Sequence, residues 1–145
     1  MPESKSACTV GYANHVGIAV TNVREALLLY QTLFDSPETS IIEAPLLGIR
    51  AAIIVQGETH IELLEPTDPA GAIGRFIAEH GEGLHHLAFN VNNVDKKVEE
   101  LKALGIRMID QVPRQGLTGR IAFIHPSATR GSLIELVQPS ARAAH

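Results

Sequence analysis

The chain has 145 residues, of which 45% are hydrophobic and 19% charged, a composition typical of one soluble domain with a real core. A net charge of -4 and an aromatic content of 4% without tryptophan argue against nucleic-acid partners and binding to anionic membranes. No apolar run is long enough for a membrane span, and the single cysteine, Cys8, favours a reducing compartment. We therefore expect a cytoplasmic protein.

The first elements in chain order follow a polar stretch, residues 1–11, that is predicted to be a tail. Tyr12–Val20 is rich in β-branched residues and is predicted to be a strand. A helix-start signal at Thr21-Asn22 and the spacing of the apolar residues that follow predict a helix over Val23–Phe34. Three strands then follow, the last two joined by a hairpin turn at Gly57; they are predicted at Thr39–Glu43, Ile49–Val55 and His60–Leu64.

The same order returns in the second half of the chain. A short helix is predicted over Ala70–His80, before a strand at Leu84–Val91. The next helix is predicted over Val94–Leu104, with Gly105 ending it. Three more strands and a C-terminal tail complete the chain, at Arg107–Gln111, Arg120–His125, Ser132–Gln138 and 140–145.

An internal repeat supports this duplication. His15 and His86 lie 71 residues apart, at matching places in stretches that read Asn-His-Val-Gly-Ile-Ala-Val and His-His-Leu-Ala-Phe-Asn-Val. We therefore predict an α+β fold with tandem βαβββ modules whose mixed sheets pack as one unit. The predicted boundaries are a single domain at 12–139, with module one at 12–67, a linker helix at 68–83 and module two at 84–139.

Strand alternation places each repeated histidine on the face of its strand that carries small residues. His15 shares its face with Gly17, and His86 shares its face with Ala88, whereas His85 points to the opposite side. Small neighbours leave room beside an imidazole, which is typical of a cavity lining rather than of a packed core. His85 is therefore expected to be structural or outward-facing.

Two glutamates repeat in the same way. Glu62 and Glu135 lie inside apolar strands, 47 and 49 residues after His15 and His86. A single His or Glu in a strand is more often exposed or hydrogen-bonded than a ligand, but an ionised carboxylate among apolar residues needs a partner or a cation. Two imidazoles and two carboxylates suit one divalent ion and leave positions open for substrate oxygens. His60, on the face of Glu62, is a weaker candidate that could support the ligands.

These motifs resemble the vicinal oxygen chelate superfamily, which includes glyoxalases and bleomycin-resistance proteins. The resemblance covers Asn14–Gln138 and rests on His-Val-Gly-Ile-Ala-Val, Ile-Glu-Leu-Leu-Glu-Pro, Gly-Glu-Gly-Leu-His-His-Leu-Ala-Phe and a Pro-Arg-Gln-Gly loop. It implies a metal-binding cup, a homodimer, and one divalent ion per chain (Co, Zn, Ni, Mn or Mg). The ligand role is carried onto His15, Glu62, His86 and Glu135.

Within this superfamily the motifs are most similar to those of methylmalonyl-CoA epimerases. The resemblance implies epimerisation of methylmalonyl-CoA, or of a similar 1,3-dicarbonyl acyl-CoA, through a metal-stabilised enolate. Ala51 stands where one branch of these epimerases has a proposed catalytic Glu. We therefore expect a metal ligand to act as the base, Glu135 first and Glu62 second. Arg120 and Arg114 are the predicted contacts of an anionic substrate.

Other functions on the same fold stay open from the sequence. A glyoxalase I-like lyase would act on a hemithioacetal, and it commonly builds its site across a dimer, whereas these four positions come from one chain. An extradiol dioxygenase would use two His and one Glu with iron and is usually longer. A non-catalytic protein that binds a small molecule often loses the metal ligands, and this chain keeps all four.

Overall fold

The structure, a computed structural model, describes residues 8–140; the predicted tail residues 1–7 and 141–145 lie outside that range. The chain divides into two compact units. The first unit is His15–His85, and the second unit is His86–His145 together with Met1–Asn14. Within the described range, no helix is long and apolar enough to cross a membrane.

The α+β class predicted from the sequence is confirmed, with a βαβββ order that occurs twice and one further helix between the two sets. The elements are β1 (Val10–Ala19), α1 (Val23–Phe34), β2 (Ile42–Ala44), β3 (Ile49–Gln56), β4 (Thr59–Pro66), α2 (Ala72–His80), β5 (Gly83–Val91), α3 (Val94–Ala103), β6 (Arg114–Gln115), β7 (Gly119–Ile124) and β8 (Ile134–Pro139).

In the first unit the strands are ordered β2-β3-β4-β1. Glu62 of β4 lies opposite Gly17 of the parallel strand β1 and opposite Ile53 of the antiparallel strand β3. Helix α1 covers the other face of these strands, where its apolar residues bury a core against alternate strand residues. This core contains Val20, Val23, Leu27, Ala52, Ile54 and Leu63.

The second unit has the strand order β5-β8-β7-β6. Glu135 of β8 lies opposite Ala88 of the parallel strand β5 and opposite Phe123 of the antiparallel strand β7. Helix α3 covers the opposite face, as α1 does in the first unit. The core beneath α3 contains Val91, Val94, Val98, Met108, Ala122, Ile124 and Leu136.

The two long helices begin and end where local chemistry dictates. Asn22 and Asn93 are the N-caps of α1 and α3, and each side chain accepts a hydrogen bond from the backbone N–H three residues later. Gly105 follows the end of α3 with a φ of 83°, a left-handed conformation that glycine adopts without a Cβ clash. Helix α1 spans Val23–Phe34, so the helix predicted over these residues is confirmed at both ends.

The strand predicted over Arg107–Gln111 is wrong. In this segment Met108 forms an isolated bridge to Ile124, and the chain then leaves the sheet. The reason is Asp110, whose Oδ2 accepts a hydrogen bond from the backbone N–H of Phe123 at 2.8 Å. A side-chain carboxylate thus takes the place of a backbone acceptor next to β7, so a regular ladder does not continue.

Other element boundaries differ from the prediction by one to three residues. Strand β1 begins at Val10, two residues before the predicted start, so the N-terminal tail predicted to reach residue 11 is shorter. The Sγ of Cys8 is buried and donates to the carbonyl of Asn93 at 3.2 Å. Strand β2 begins only at Ile42, although a strand was expected from Thr39.

Candidate metal centre

The first candidate pair joins neighbouring parallel strands in the first unit. Residues opposite each other in a sheet share a face, so Glu62 shares the face of Gly17 and hence of His15, two residues earlier. The distance from His15 Nε2 to Glu62 Oε1 is 3.4 Å, and the side chains are 2% and 5% exposed. The structure therefore brings these two predicted ligands together on the face turned away from α1.

The second unit contains the equivalent pair. His86 Nε2 lies 3.1 Å from Glu135 Oε1, and the two side chains are 5% and 6% exposed. The pairing of Ala88 with Glu135 places both side chains on one face, by the same two-residue step. The Phe123 ring meets the His86 imidazole edge-on, with centroids 5.4 Å apart, so one wall beside this pair is aromatic.

The donor set in each unit fits a divalent ion. Two ligand atoms that each lie ~2.1 Å from one ion are ~3.0 Å apart in octahedral geometry and ~3.4 Å apart in tetrahedral geometry. The two nitrogen–oxygen distances, 3.4 Å and 3.1 Å, fall in this range. Buried carboxylates beside neutral imidazoles are stabilised by a cation and destabilised without compensation. Hard oxygen and borderline nitrogen donors together suit first-row divalent metals.

Two further histidines lie near these pairs. His60 is opposite His15 in the β1–β4 register, and desolvation, followed by the proximity of His15, lowers its pKa. His85 lies on the other face of β5 from His86, and its ring packs edge-on against Phe76 with centroids 4.9 Å apart. His85 is therefore held by an aromatic contact to α2 rather than beside the carboxylate of Glu135.

Arg120 lies on the α3 side of β7. Its Nε and Nη2 donate to the two carboxylate oxygens of Asp95 in α3, both at 2.8 Å. This contact raises the pKa of Arg120 and lowers the pKa of Asp95. The register alternates, so Arg120 faces away from Phe123 and Glu135. Its predicted contact with substrate stays a prediction, and the fold gives this guanidinium a partner of its own.

Arg114, in contrast, shares a face with the second His–Glu pair. It lies opposite Ile121, which shares its face with Phe123 and Glu135. Its Nε donates to Asp110 Oδ1 at 2.9 Å, and its guanidinium carbon lies 5.7 Å from the centre of the Phe123 ring. Sequence reasoning missed Asp110 and Phe123, although the alternation of Ile121 and Phe123 along β7 was a visible sign that both face the same way.

Comparison with known proteins shows the family of this chain. Residues 14–123 match the profile of the Glyoxalase/Bleomycin resistance protein/Dioxygenase superfamily. The chain belongs to this superfamily. Its α+β fold is the vicinal oxygen chelate fold that the sequence motifs predicted.

Several relatives within the superfamily are similar along most of the chain. The uncharacterized protein YqjC of Bacillus subtilis is 32% identical over 127 residues, which cover 87% of this chain and 91% of that protein. The mitochondrial methylmalonyl-CoA epimerase of Homo sapiens is 30% identical over 135 residues, which cover 92% of this chain and 77% of that protein. A solved methylmalonyl-CoA epimerase in complex with methylmalonyl-CoA and NH4+ has a TM-score of 0.85 at 31% identity, covering 92% and 97% of the two chains.

Proposed function

We propose that this protein is a metal-dependent epimerase of methylmalonyl-CoA or of a similar 1,3-dicarbonyl acyl-CoA. In this proposal His15, Glu62, His86 and Glu135 hold one divalent ion. The observation that carries it is the buried His–Glu pair at equivalent strand positions in each unit, 3.4 Å and 3.1 Å between the facing atoms. Membership of the superfamily and the similarity to methylmalonyl-CoA epimerases support the substrate class.

In such a reaction some of these residues bind the ion and others transfer the proton. When bound, the ion supplies a Lewis acid that stabilises negative charge on a substrate carbonyl oxygen. His15 and His86 act as neutral ligands, since each offers a ring nitrogen while the carboxylates supply the negative charge. The low exposure of all four side chains keeps water away, which strengthens every charge interaction at the reacting carbon.

The base of the reaction is assigned to Glu135, with Glu62 as the second candidate. Ala51 is buried on the face of Glu62 and offers no proton-transfer group, so this position cannot supply the base. Glu135 sits beside the wall that carries Phe123 and Arg114, where an anionic substrate is expected to lie. Epimerisation without a redox cofactor requires that this base takes the proton from one face of the acidic carbon and that an acid returns a proton on the other face.

Metal content tests the first part of the proposal. Elemental analysis of the purified wild-type protein is expected to show about one divalent ion per chain, and His86→Ala is expected to lose it. His85→Ala is the matched control, because His85 neighbours His86 but packs on Phe76 across the strand. A wild-type protein that contains no metal and cannot be reconstituted with any of Co, Zn, Ni, Mn or Mg would contradict the proposal.

Isotope exchange tests the second part. In D2O, the metal-loaded protein is expected to exchange the α-proton of methylmalonyl-CoA for deuterium, and Glu135→Gln is expected to slow the exchange by about 10²–10⁴-fold. If the wild-type protein holds its metal yet catalyses no exchange, the proposed metal site stands and the proposed epimerase activity is contradicted. Isomerisation of a hemithioacetal in a parallel assay would then point to the glyoxalase-like alternative.

A further inference from the structure

The guanidinium of Arg114 is held in one place by two contacts. Its Nε donates to Asp110 Oδ1 at 2.9 Å, and the guanidinium lies over the Phe123 ring at 5.7 Å. A planar guanidinium fixed by a carboxylate and an aromatic face loses little further freedom when it binds a ligand. Arg114 is therefore preorganised even though its side chain is 48% exposed.

Asp110 links this arginine to the sheet. Its Oδ1 binds Arg114, and its Oδ2 accepts the backbone N–H of Phe123 at 2.8 Å. The Asp110 side chain is only 12% exposed, so both carboxylate oxygens act in a poorly hydrated setting where charge-assisted hydrogen bonds are strong. Asp110 thus sets the position of the Arg114 guanidinium and also that of the Phe123 backbone, whose ring lies beneath this guanidinium.

The direction of Arg114 distinguishes it from Arg120, the other arginine in strands β6 to β8. Arg120 spends both Nε and Nη2 on Asp95 and lies on the α3 face. The Arg114–Asp110 contact uses Nε, and within residues 8–140 no hydrogen bond from the Arg114 Nη atoms to another residue is found. Each Nη atom carries two N–H groups, and the side chain lies on the strand face of His86 and Glu135. These N–H groups are suitable donors for binding an oxyanion.

We infer that Asp110 is a positioning residue that holds Arg114 as the binding site for a substrate oxyanion, either the free carboxylate of the acyl group or a phosphate of the coenzyme. The inference rests on the proposed function, because an acyl-CoA ligand carries both of these groups. Arg114 touches the anion, and Asp110 acts through Arg114. Without Asp110 the guanidinium would sample several rotamers, and each binding event would have to order it again.

A double-mutant cycle tests the inference. Titration calorimetry with methylmalonyl-CoA is expected to show about tenfold weaker binding for Asp110→Asn and about 10- to 100-fold weaker binding for Arg114→Gln. The amide oxygen introduced by Asp110→Asn would still accept the Phe123 N–H, so the thermal midpoint is expected to change little. Adding Asp110→Asn to Arg114→Gln is expected to weaken binding no further, because Asp110 acts through the arginine. Additive losses would overturn the inference.

The matched control is Glu43→Gln, which also removes the charge of a carboxylate that contacts an arginine, here Arg50 in the first unit. It is expected to leave affinity for methylmalonyl-CoA unchanged. Equal losses from Glu43→Gln and Asp110→Asn would mean a general charge effect and would overturn the inference. If Asp110→Asn does not fold, Arg114→Lys replaces it, since lysine keeps the charge but not the fork; unchanged affinity for Arg114→Lys would equally overturn it.

Propionyl-CoA, which lacks the carboxylate, identifies the anion. If Arg114→Gln weakens the binding of propionyl-CoA less than that of methylmalonyl-CoA, Arg114 binds the carboxylate. If it weakens the binding of both thioesters equally, Arg114 binds a coenzyme phosphate. In steady-state assays Asp110→Asn is expected to raise KM about tenfold and to change kcat by less than about twofold. Wild-type binding without isotope exchange would remove only the epimerase proposal, whereas a wild type that binds neither thioester would overturn both.

Discussion

The two units are built alike on the helix side of their sheets and differently beside their His–Glu pairs. On the helix side, Val23 N–H of α1 donates to Glu65 at 2.8 Å and Val94 N–H of α3 donates to Gln138 at 2.9 Å. Glu65 and Gln138 each lie three residues after the glutamate of the pair. An acceptor from the last strand thus satisfies an N–H of the helix start in each unit.

An arginine repeats in the same way. Arg50 lies opposite Glu65 in the first unit and donates to it at 2.7 Å, while Arg120 lies opposite Gln138 in the second and binds Asp95. Both guanidinium groups thus neutralise a carboxylate close to a helix start. This repetition gives Arg120 a structural role, and its predicted contact with substrate stays a prediction.

The wall beside each pair has diverged. In the first unit, Ile42 occupies the register position that Arg114 has in the second, and Ile53 occupies that of Phe123. An apolar wall suits a hydrocarbon group, whereas an aromatic–cationic wall suits an anion. The helix faces of the two units are therefore alike, whereas the opposite faces differ in the residues beside the His–Glu pair.

The strongest effect should come from the equivalence of the two pairs. If each contributes two ligands to one ion, His15→Ala and His86→Ala should lower metal affinity to a similar extent, by at least about 100-fold, since even supporting residues of metal ligands are worth 10–100-fold. Competition with a chromophoric chelator measures both affinities. A loss confined to one variant would contradict the equivalence and leave the other His–Glu pair as a structural contact.

The next largest effect is expected from the hydrophobic cores beneath α1 and α3. Leu63 and Leu136 each follow the glutamate of their pair and are 0% and 3% exposed. Leu63→Ala and Leu136→Ala should each lower the free energy of unfolding by about 2–5 kcal/mol, because a buried cavity replaces packed atoms. Urea unfolding followed by circular dichroism measures the change. Leu46→Ala, at a 99% exposed site, is the control and should be close to neutral.

A smaller effect is expected at the helix caps. Asn22→Ala and Asn93→Ala should each cost about 1 kcal/mol in the free energy of unfolding, because each removes the acceptor of an N–H in the first helical turn. Asn22→Asp and Asn93→Asp keep that acceptor and should retain most of the stability. A cap variant without effect in one unit would show that the helix starts are held differently there.

The weakest effect is the pH dependence of the contact between Arg120 and Asp95. The Arg120 guanidinium lowers the pKa of Asp95 below its ordinary value of 3.8, so this contact stabilises the folded chain above that pH and is lost as the pH falls through the folded value. Asp95→Asn should therefore flatten the acid limb of a stability–pH profile, by less than either cap effect, because both groups are exposed. Calorimetric midpoints from about pH 2 to pH 7 measure it, and an unchanged acid limb would contradict this account.

Local sequence patterns were sufficient to predict those elements whose ends are set by residues close together in the chain. Helix α1 was predicted over its full observed length because apolar spacing and the Asn22 cap both act within a few residues. The hairpin at Gly57 was predicted for the same reason, since its φ of 64° suits glycine. The false strand at Arg107–Gln111 had suitable residues too, but Asp110 bonds across a distance of 13 residues that no local pattern reveals.

The residues alone were sufficient to predict the duplication, the α+β class and the face of each repeated histidine, because strand alternation is a property of the backbone and needs no partner strand. They also selected His15, Glu62, His86 and Glu135, which repeat at matching places in the chain. The folded structure was needed to show that each histidine meets the glutamate of its own unit, at 3.4 Å and 3.1 Å. It likewise separated Arg114 from Arg120, because the register of β7 on β8 decides which arginine shares the face of Glu135, and register arises from pairing between strands distant in sequence.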